Sequence, residues 1–225
     1  MKHPSQSASQ RLKVGLLGFG LAGLACAANA ATLDEAVVGD FSGSGLAPTL
    51  FSLDAAVGDN VLSGQVGRIA GVVDRDYVHV LVPAGYLWTG MFVGNTTVGG
   101  GGGSAFIGLA DGALTAVPPS ASDASGLLGW KLYGASDRGT DILDDMAIPS
   151  FGSSGFTVPL AAGSYTLWIQ ELATGSFPYS FNLTVSAVPE LPTALTMLLG
   201  LGVAAGWLRR RGPQRGGATE LGTGN

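Results

Sequence analysis

The chain has 225 residues, a formal net charge of −5 and 37 glycines, a length suited to one ordinary domain with accessory segments. Between residues 31 and 188, 14 acidic residues face only Arg68, Arg75, Lys131 and Arg138, a net charge of −10, which argues against nucleic acid as a partner. The single cysteine, Cys26, and one of the two histidines, His3, fall in an N-terminal leader; once it is removed, His79 alone remains, which excludes multi-histidine metal sites and thiolate chemistry.

The first predicted element is that leader. Lys2, Arg11 and Lys13 precede an apolar run from Val14 to Ala28, and Ala28-Asn29-Ala30 forms an A-x-A site before Ala31. A basic region, a short apolar core and small residues at −3 and −1 predict a secretory signal peptide over residues 1–30, cut after Ala30. With four glycines the run is short for a spanning helix, which takes about 20 residues. Leu24-Ala25-Cys26 also has the local look of a lipoprotein site, but Gly23 stands where such sites carry leucine.

From residue 31 onward, short apolar or alternating runs are divided by turn residues. Tyr77–Val82 ends at Pro83-Ala84-Gly85 and leads into Tyr86–Val93; Ser104–Leu109 stops at Asp111-Gly112; Leu127–Tyr133 stops in a Gly/Ser/Asp cluster. Phe156–Val158, Tyr165–Gln170 and Tyr179–Val185 complete the series. In the last, Tyr179, Phe181, Leu183 and Val185 share one face while Ser180, Asn182 and Thr184 share the other. Short strands at such spacing predict an all-β protein with a single β-sandwich domain in the exported region, residues 31–187.

The same stretch offers little for catalysis. His79 lies in mid-strand on its solvent phase, and no G-x-S-x-G elbow supplies a serine nucleophile. Gly99–Gly103 lacks the lysine and helix of a phosphate loop. Trp88 and Trp168 are candidates for stacking on sugar rings as well as for the core. The carboxylates are richer: Asp137, Asp141, Asp144 and Asp145 crowd one loop and Asp74 and Asp76 another, without EF-hand spacing, as calcium candidates or solvated turn residues. No catalytic residue is expected, and an exported hydrolase using paired carboxylates is the weakest reading.

Asp76-Tyr-Val-His-Val-Leu-Val-Pro-Ala-Gly85 resembles the aspartate, strand and "paG" turn of bacterial pre-peptidase C-terminal (PPC-like) domains. Trp130–Gly139 with Leu143-Asp-Asp145, and Ala162–Ile169 with Tyr179–Val185, resemble that family's central hairpin and closing strand pair. The resemblance spans about 110 residues and implies a jelly-roll-like, non-catalytic accessory or binding domain. Val117–Ser125 and the five-glycine run lengthen loops beyond the family pattern.

The last predicted element follows Val188. Leu191–Leu208 is 18 residues without a charge, about 27 Å as a helix, enough to span a membrane, with Arg209, Arg210 and Arg211 held on the cytoplasmic side. Residues 212–225 form a polar tail. Val188, Pro189, Glu190 and Pro192, the apolar segment and the three arginines together resemble the PEP-CTERM sorting signal of exopolysaccharide-producing Gram-negative bacteria, with Leu191 interrupting the usual Pro-Glu-Pro. The resemblance implies export across the inner membrane, transient N-out/C-in anchoring, and cleavage near Pro189-Glu190 by an exosortase-type membrane protease, with signal peptidase acting at the other end. The expected product is a surface or extracellular-matrix protein associated with exopolysaccharide and biofilm; the alternative is a calcium- or carbohydrate-binding adhesion module with the same address.

Overall fold

A computed structural model describes residues 31–54 and 60–188. The signal-peptide residues Ala28 and Ala30, the sorting residues Pro189, Glu190, Pro192 and Arg209–Arg211, and the predicted spanning helix lie outside them. No helix among the described residues is long and apolar enough to cross a membrane.

The described chain is all-β. In order it forms β1 (Thr32–Asp34), the one-turn helix α1 (Glu35–Val38), β2 (Thr49–Ser52), β3 (Asn60–Ile69), β4 (Val72–Val82), β5 (Tyr86–Val93), β6 (Ala105–Asp111) and β7 (Gly129–Tyr133). A 3-10 turn at Ala135–Asp137, helix α2 (Leu143–Ala147), β8 (Gly163–Gln170) and β9 (Gly175–Ala187) complete it.

Ala70 and Gly71, both at positive φ (50° and 84°), make the two-residue turn between β3 and β4, the backbone that matches the twist of antiparallel strands. The two strands pair only from Gly67 to Ile69 against Val72 to Asp74. Beyond that they part into different layers. In one, the order is β1-β3-β9-β5, with β1 parallel to β3. In the other it is β2-β4-β8-β6-β7, with β2 parallel to β4.

Alternation decides what lies between the layers. Val78, Val80 and Val82 from β4, Leu167 and Ile169 from β8, and Ile107 and Leu109 from β6 face Leu62, Val66, Met91, Phe181 and Leu183 across one buried core. Tyr133 meets Phe181 edge-on at 4.9 Å and Trp88 meets Tyr165 at 6.0 Å, so aromatic pairs stitch the layers together. Trp88 is fully buried, its indole N–H donating to Gly90 O at 2.9 Å over a bulge in β5. That makes it a core residue and removes it as a sugar platform.

A second, smaller cluster covers the outer face of the β4-β8-β6-β7 layer. Tyr77, Ala110, Ala124, Leu127 and Trp168 are buried there, with Phe106, Val117 and Trp130 packed against them. The covering residues come from the long segment after β6, which includes the Val117–Ser125 stretch.

Six of the seven runs read from the sequence are strands. Phe156–Val158 is not: it has no ladder partner, and Phe156 and Val158 serve as partly buried side chains against the core. The longest strand not foreseen is β3, whose Gly64 and Gly67 interrupt the apolar pattern that marks a strand in sequence.

Candidate functional site

The most unusual chemistry lies where β3 and β4 separate. Asp76 belongs to the inward-facing set of β4 with Val78 and Val80, and it is fully buried. Its Oδ2 accepts a 2.7 Å hydrogen bond from the hydroxyl of Tyr179 on β9, while its Oδ1 has no partner. Burial disfavours the charged form, only partly offset by the tyrosine, and Glu35, Asp74 and Asp40 add repulsion; the carboxyl is pushed up to about 8.

A glycine makes this contact fit. Gly64 stands opposite Tyr179 in the β3–β9 ladder. A Cβ there would come within 2.6 Å of the Tyr179 hydroxyl and 2.7 Å of Glu35 Oε2. Without one, the phenol and the Glu35 carboxylate converge on the same spot. Glu35 is fixed from the other side, its Oε2 accepting from the Gln65 backbone N–H at 2.6 Å. The turn that delivers it is set by Asp34, whose side chain caps α1 through Ala36 N–H at 3.0 Å.

Glu35, Asp40 and Asp74 each present a carboxylate oxygen within 4.8 Å of the others. Glu35 and Asp74 are both raised above the ordinary carboxylate range, in each case first by burial and then by neighbouring acids, with Asp40 acting on both. Three acids gathered in front of a buried fourth form a hard, oxygen-only donor set, the kind that suits calcium rather than zinc or copper.

Behind Asp76 the polarity continues into the core. The Tyr133 hydroxyl and Glu171 Oε2 are also buried without a partner. Tyr133 and Tyr179 are held well above the usual phenol range by burial, with the Asp76 charge adding to it. Glu171 turns its other oxygen to the Leu172 and Ala173 N–H groups, both at 2.7 Å. Gly100 lies so close to this carboxylate that a Cβ could not be accommodated, so at least one glycine of the five-glycine run serves packing.

The residues singled out in the other acidic loop do different work. Asp137 Oδ2 accepts from Gly134 N–H at 2.8 Å. Asp141 Oδ1 accepts from Met91 N–H at 2.9 Å and Leu143 N–H at 3.0 Å, tying α2 to β5. Asp145 pairs with Lys131 at 2.9 Å on the surface, and Asp144 is exposed. Among the described residues, the one set of three acids whose oxygens lie within 4.8 Å of one another combines Asp74, visible in sequence beside Asp76, with Glu35 and Asp40. Those two carried no local signal, because the turn after β1 meets β4 only through the fold.

His79 is half-buried on the outer face with Nε2 3.0 Å from Ser164 Oγ. Burial lowers its pKa, and the hydrogen bond to Ser164 makes it a paired surface histidine. Comparison with family models, curated proteins and solved structures found no match.

Proposed function

We propose that this chain is an exported, non-catalytic surface or matrix protein, sorted through its C-terminal segment by an exosortase-type protease linked to exopolysaccharide production. The observation that supports this most is the order of segments at the C-terminus. Strand β9 ends at Ala187, and Val188 is held by a 2.8 Å bond from its N–H to Gly85 O. Pro189 follows directly and lacks the N–H to prolong a ladder. In sequence the Pro-Glu segment, the apolar stretch and the arginines therefore follow directly on the last strand, the order that a sorting signal appended to a folded domain requires.

On this reading the β-sandwich is a jelly-roll-like PPC-type module that signal peptidase and the exosortase release from both ends. The decisive test is intact mass spectrometry of the protein from its native envelope. Termini near Ala31 and near Val188-Pro189 are expected; a chain still ending at Asn225 contradicts the sorting reading.

A second reading is favoured by the acidic cluster: the domain is a calcium-dependent binding module. Glu35, Asp40 and Asp74 would hold the ion, and its charge would relieve their mutual repulsion and that on Asp76. Calcium should then raise the melting temperature of the wild-type protein. Asp74→Asn should abolish the gain and Asp144→Asn should leave it intact. Equal responses in all three proteins would refute this site.

A further inference from the structure

The outer face of the β4-β8-β6-β7 layer holds a cleft that none of the acidic chemistry explains. Its floor follows one row of the sheet: Trp168 of β8 lies opposite Gly108 of β6, which lies opposite Trp130 of β7. Gly108 leaves the middle of that row low; a Cβ there would press on Leu127 at 3.0 Å and on the Phe106 ring at 3.1 Å. Phe106 fills the space instead, edge-on to Trp168 at 5.0 Å and nearly parallel to Trp130 at 6.2 Å. Phe151 completes the aromatic wall, 6.2 Å from Trp130 and edge-on to it.

These rings are held in place. The Trp130 indole N–H donates to Ser150 O at 3.1 Å, and Ala124 N–H donates to Phe151 O at 2.8 Å. Phe151 has φ of 50° and is 67% exposed. A bulky residue in the left-handed region is strained, and exposing a phenyl ring there forgoes its burial. Strain and exposure of that kind gather at ligand clamps.

The lining is not uniformly apolar. Ser122, Asp123 and Gln170 share the cleft with the aromatic rings, and its volume is about 240 Å³, below the roughly 300–1,000 Å³ of pockets for drug-sized ligands. Trp168, also part of the lining, is 4% exposed and its indole N–H has no partner, which is uncommon for a buried indole. Flat aromatic faces suit the C–H face of a pyranose ring, while a carboxylate, an amide and a hydroxyl suit its rim of hydroxyls.

We propose that this cleft binds a single neutral hexopyranose unit of a polysaccharide, with Trp130 and Phe151 as the stacking platforms. A neutral sugar is specified because Asp123 stands in the cleft and the exported region carries net −10, which would repel uronic acids. The inference gives a ligand class to the binding-module reading and rests on that reading. The cleft is formed by residues other than those of the acidic cluster, so the two can fail separately.

The test is affinity electrophoresis and tryptophan fluorescence of the full-length protein with a neutral glucan, mannan and galactan, beside polygalacturonate and a proline-rich peptide. At least one neutral polymer should retard the protein and shift its emission. Trp130→Ala should weaken that binding about tenfold, close to 1.4 kcal/mol. Phe151→Ala, at an exposed side chain, should weaken it severalfold. Leu50→Ala, on β2 at the opposite edge of the layer, should change nothing. Calcium-dependent melting, lost in Asp74→Asn but kept in Trp130→Ala, would separate the sugar site from the cation site. Retardation by none of the neutral polymers, a preference for polygalacturonate or the peptide, or undiminished binding by both aromatic variants would overturn the proposal.

Discussion

Replacing Asp76 by Asn should change how the protein's stability depends on pH. The two side chains have the same shape, and the amide oxygen can still accept from Tyr179, but the amide does not titrate. In the unfolded wild-type chain the Asp76 carboxyl loses its proton near its ordinary value of 3.8; in the folded protein it keeps it to about 8. Its stabilising contribution is therefore fully present below pH 4 and drains away as pH rises through 8. Each pH unit well inside that window costs up to about 1.4 kcal/mol. Allowing for the flattening near both ends, the wild type should lose about 3–4 kcal/mol between pH 5 and pH 8 from this group. At about 2–4 °C per kcal/mol for a domain of this size, the melting temperature falls by roughly 10 °C. Asp76→Asn should lack this component and show a visibly shallower profile. The assay is thermal melting by circular dichroism in chelator at half-unit pH steps, since a bound cation would favour the ionised form. Parallel pH profiles for wild type and Asp76→Asn would refute the assignment of a buried, protonated Asp76.

Three further outcomes follow from the same geometry. Gly64→Ala places a methyl against the Tyr179 hydroxyl and the Glu35 carboxylate and should cost about 1–3 kcal/mol in chemical denaturation, as overpacking does; calcium affinity should fall with it if Glu35 is a ligand. Asp141→Ala strips the acceptor from Met91 and Leu143 N–H groups and should destabilise by about 1–3 kcal/mol, with no effect on the calcium-induced melting shift. Lys131→Ala removes a surface ion pair whose Asp145 side chain is 57% exposed, and urea denaturation should change by less than about 1 kcal/mol.

Much of the fold was legible because period-2 alternation is a local property. In β9, Tyr179, Phe181 and Leu183 are buried on one side as their spacing requires, and Tyr77–Val82 and Tyr86–Val93 turn at Pro83-Ala84-Gly85 as the turn chemistry requires, with Gly85 at φ 82°. Phe156–Val158 had the composition of a strand, but its backbone forms no ladder and Phe156 N–H donates instead to Ala147 O at the end of α2. Strand β3 had a neighbour on each side, and its glycines, which weaken the local signal, are what allow close approach: Gly64 to Tyr179 and Gly67 to Gly175.

The candidate site divides along the same line. Crowded aspartates mark both loops equally in sequence, yet Asp137 and Asp141 spend their oxygens on backbone N–H groups while Asp74 meets two distant acids. Likewise Trp88 and Trp168 look alike in sequence, and the phase of each strand sends one inward to the core and the other to the outer cleft.

The sequence by itself determined the all-β class, the two faces of β9, the acidity of residues 31–188, and the terminal segments from which an address is proposed, because each depends on residues adjacent along the chain. Only the tertiary structure decided which carboxylates converge, that Asp76 is buried without a partner for one oxygen, and which aromatic rings share a cleft. The first two depend on the parting of β3 and β4 into two layers, which brings residues more than a hundred positions apart, such as Asp76 and Tyr179, within hydrogen-bonding distance; the third depends on the pairing of β6 with both β7 and β8.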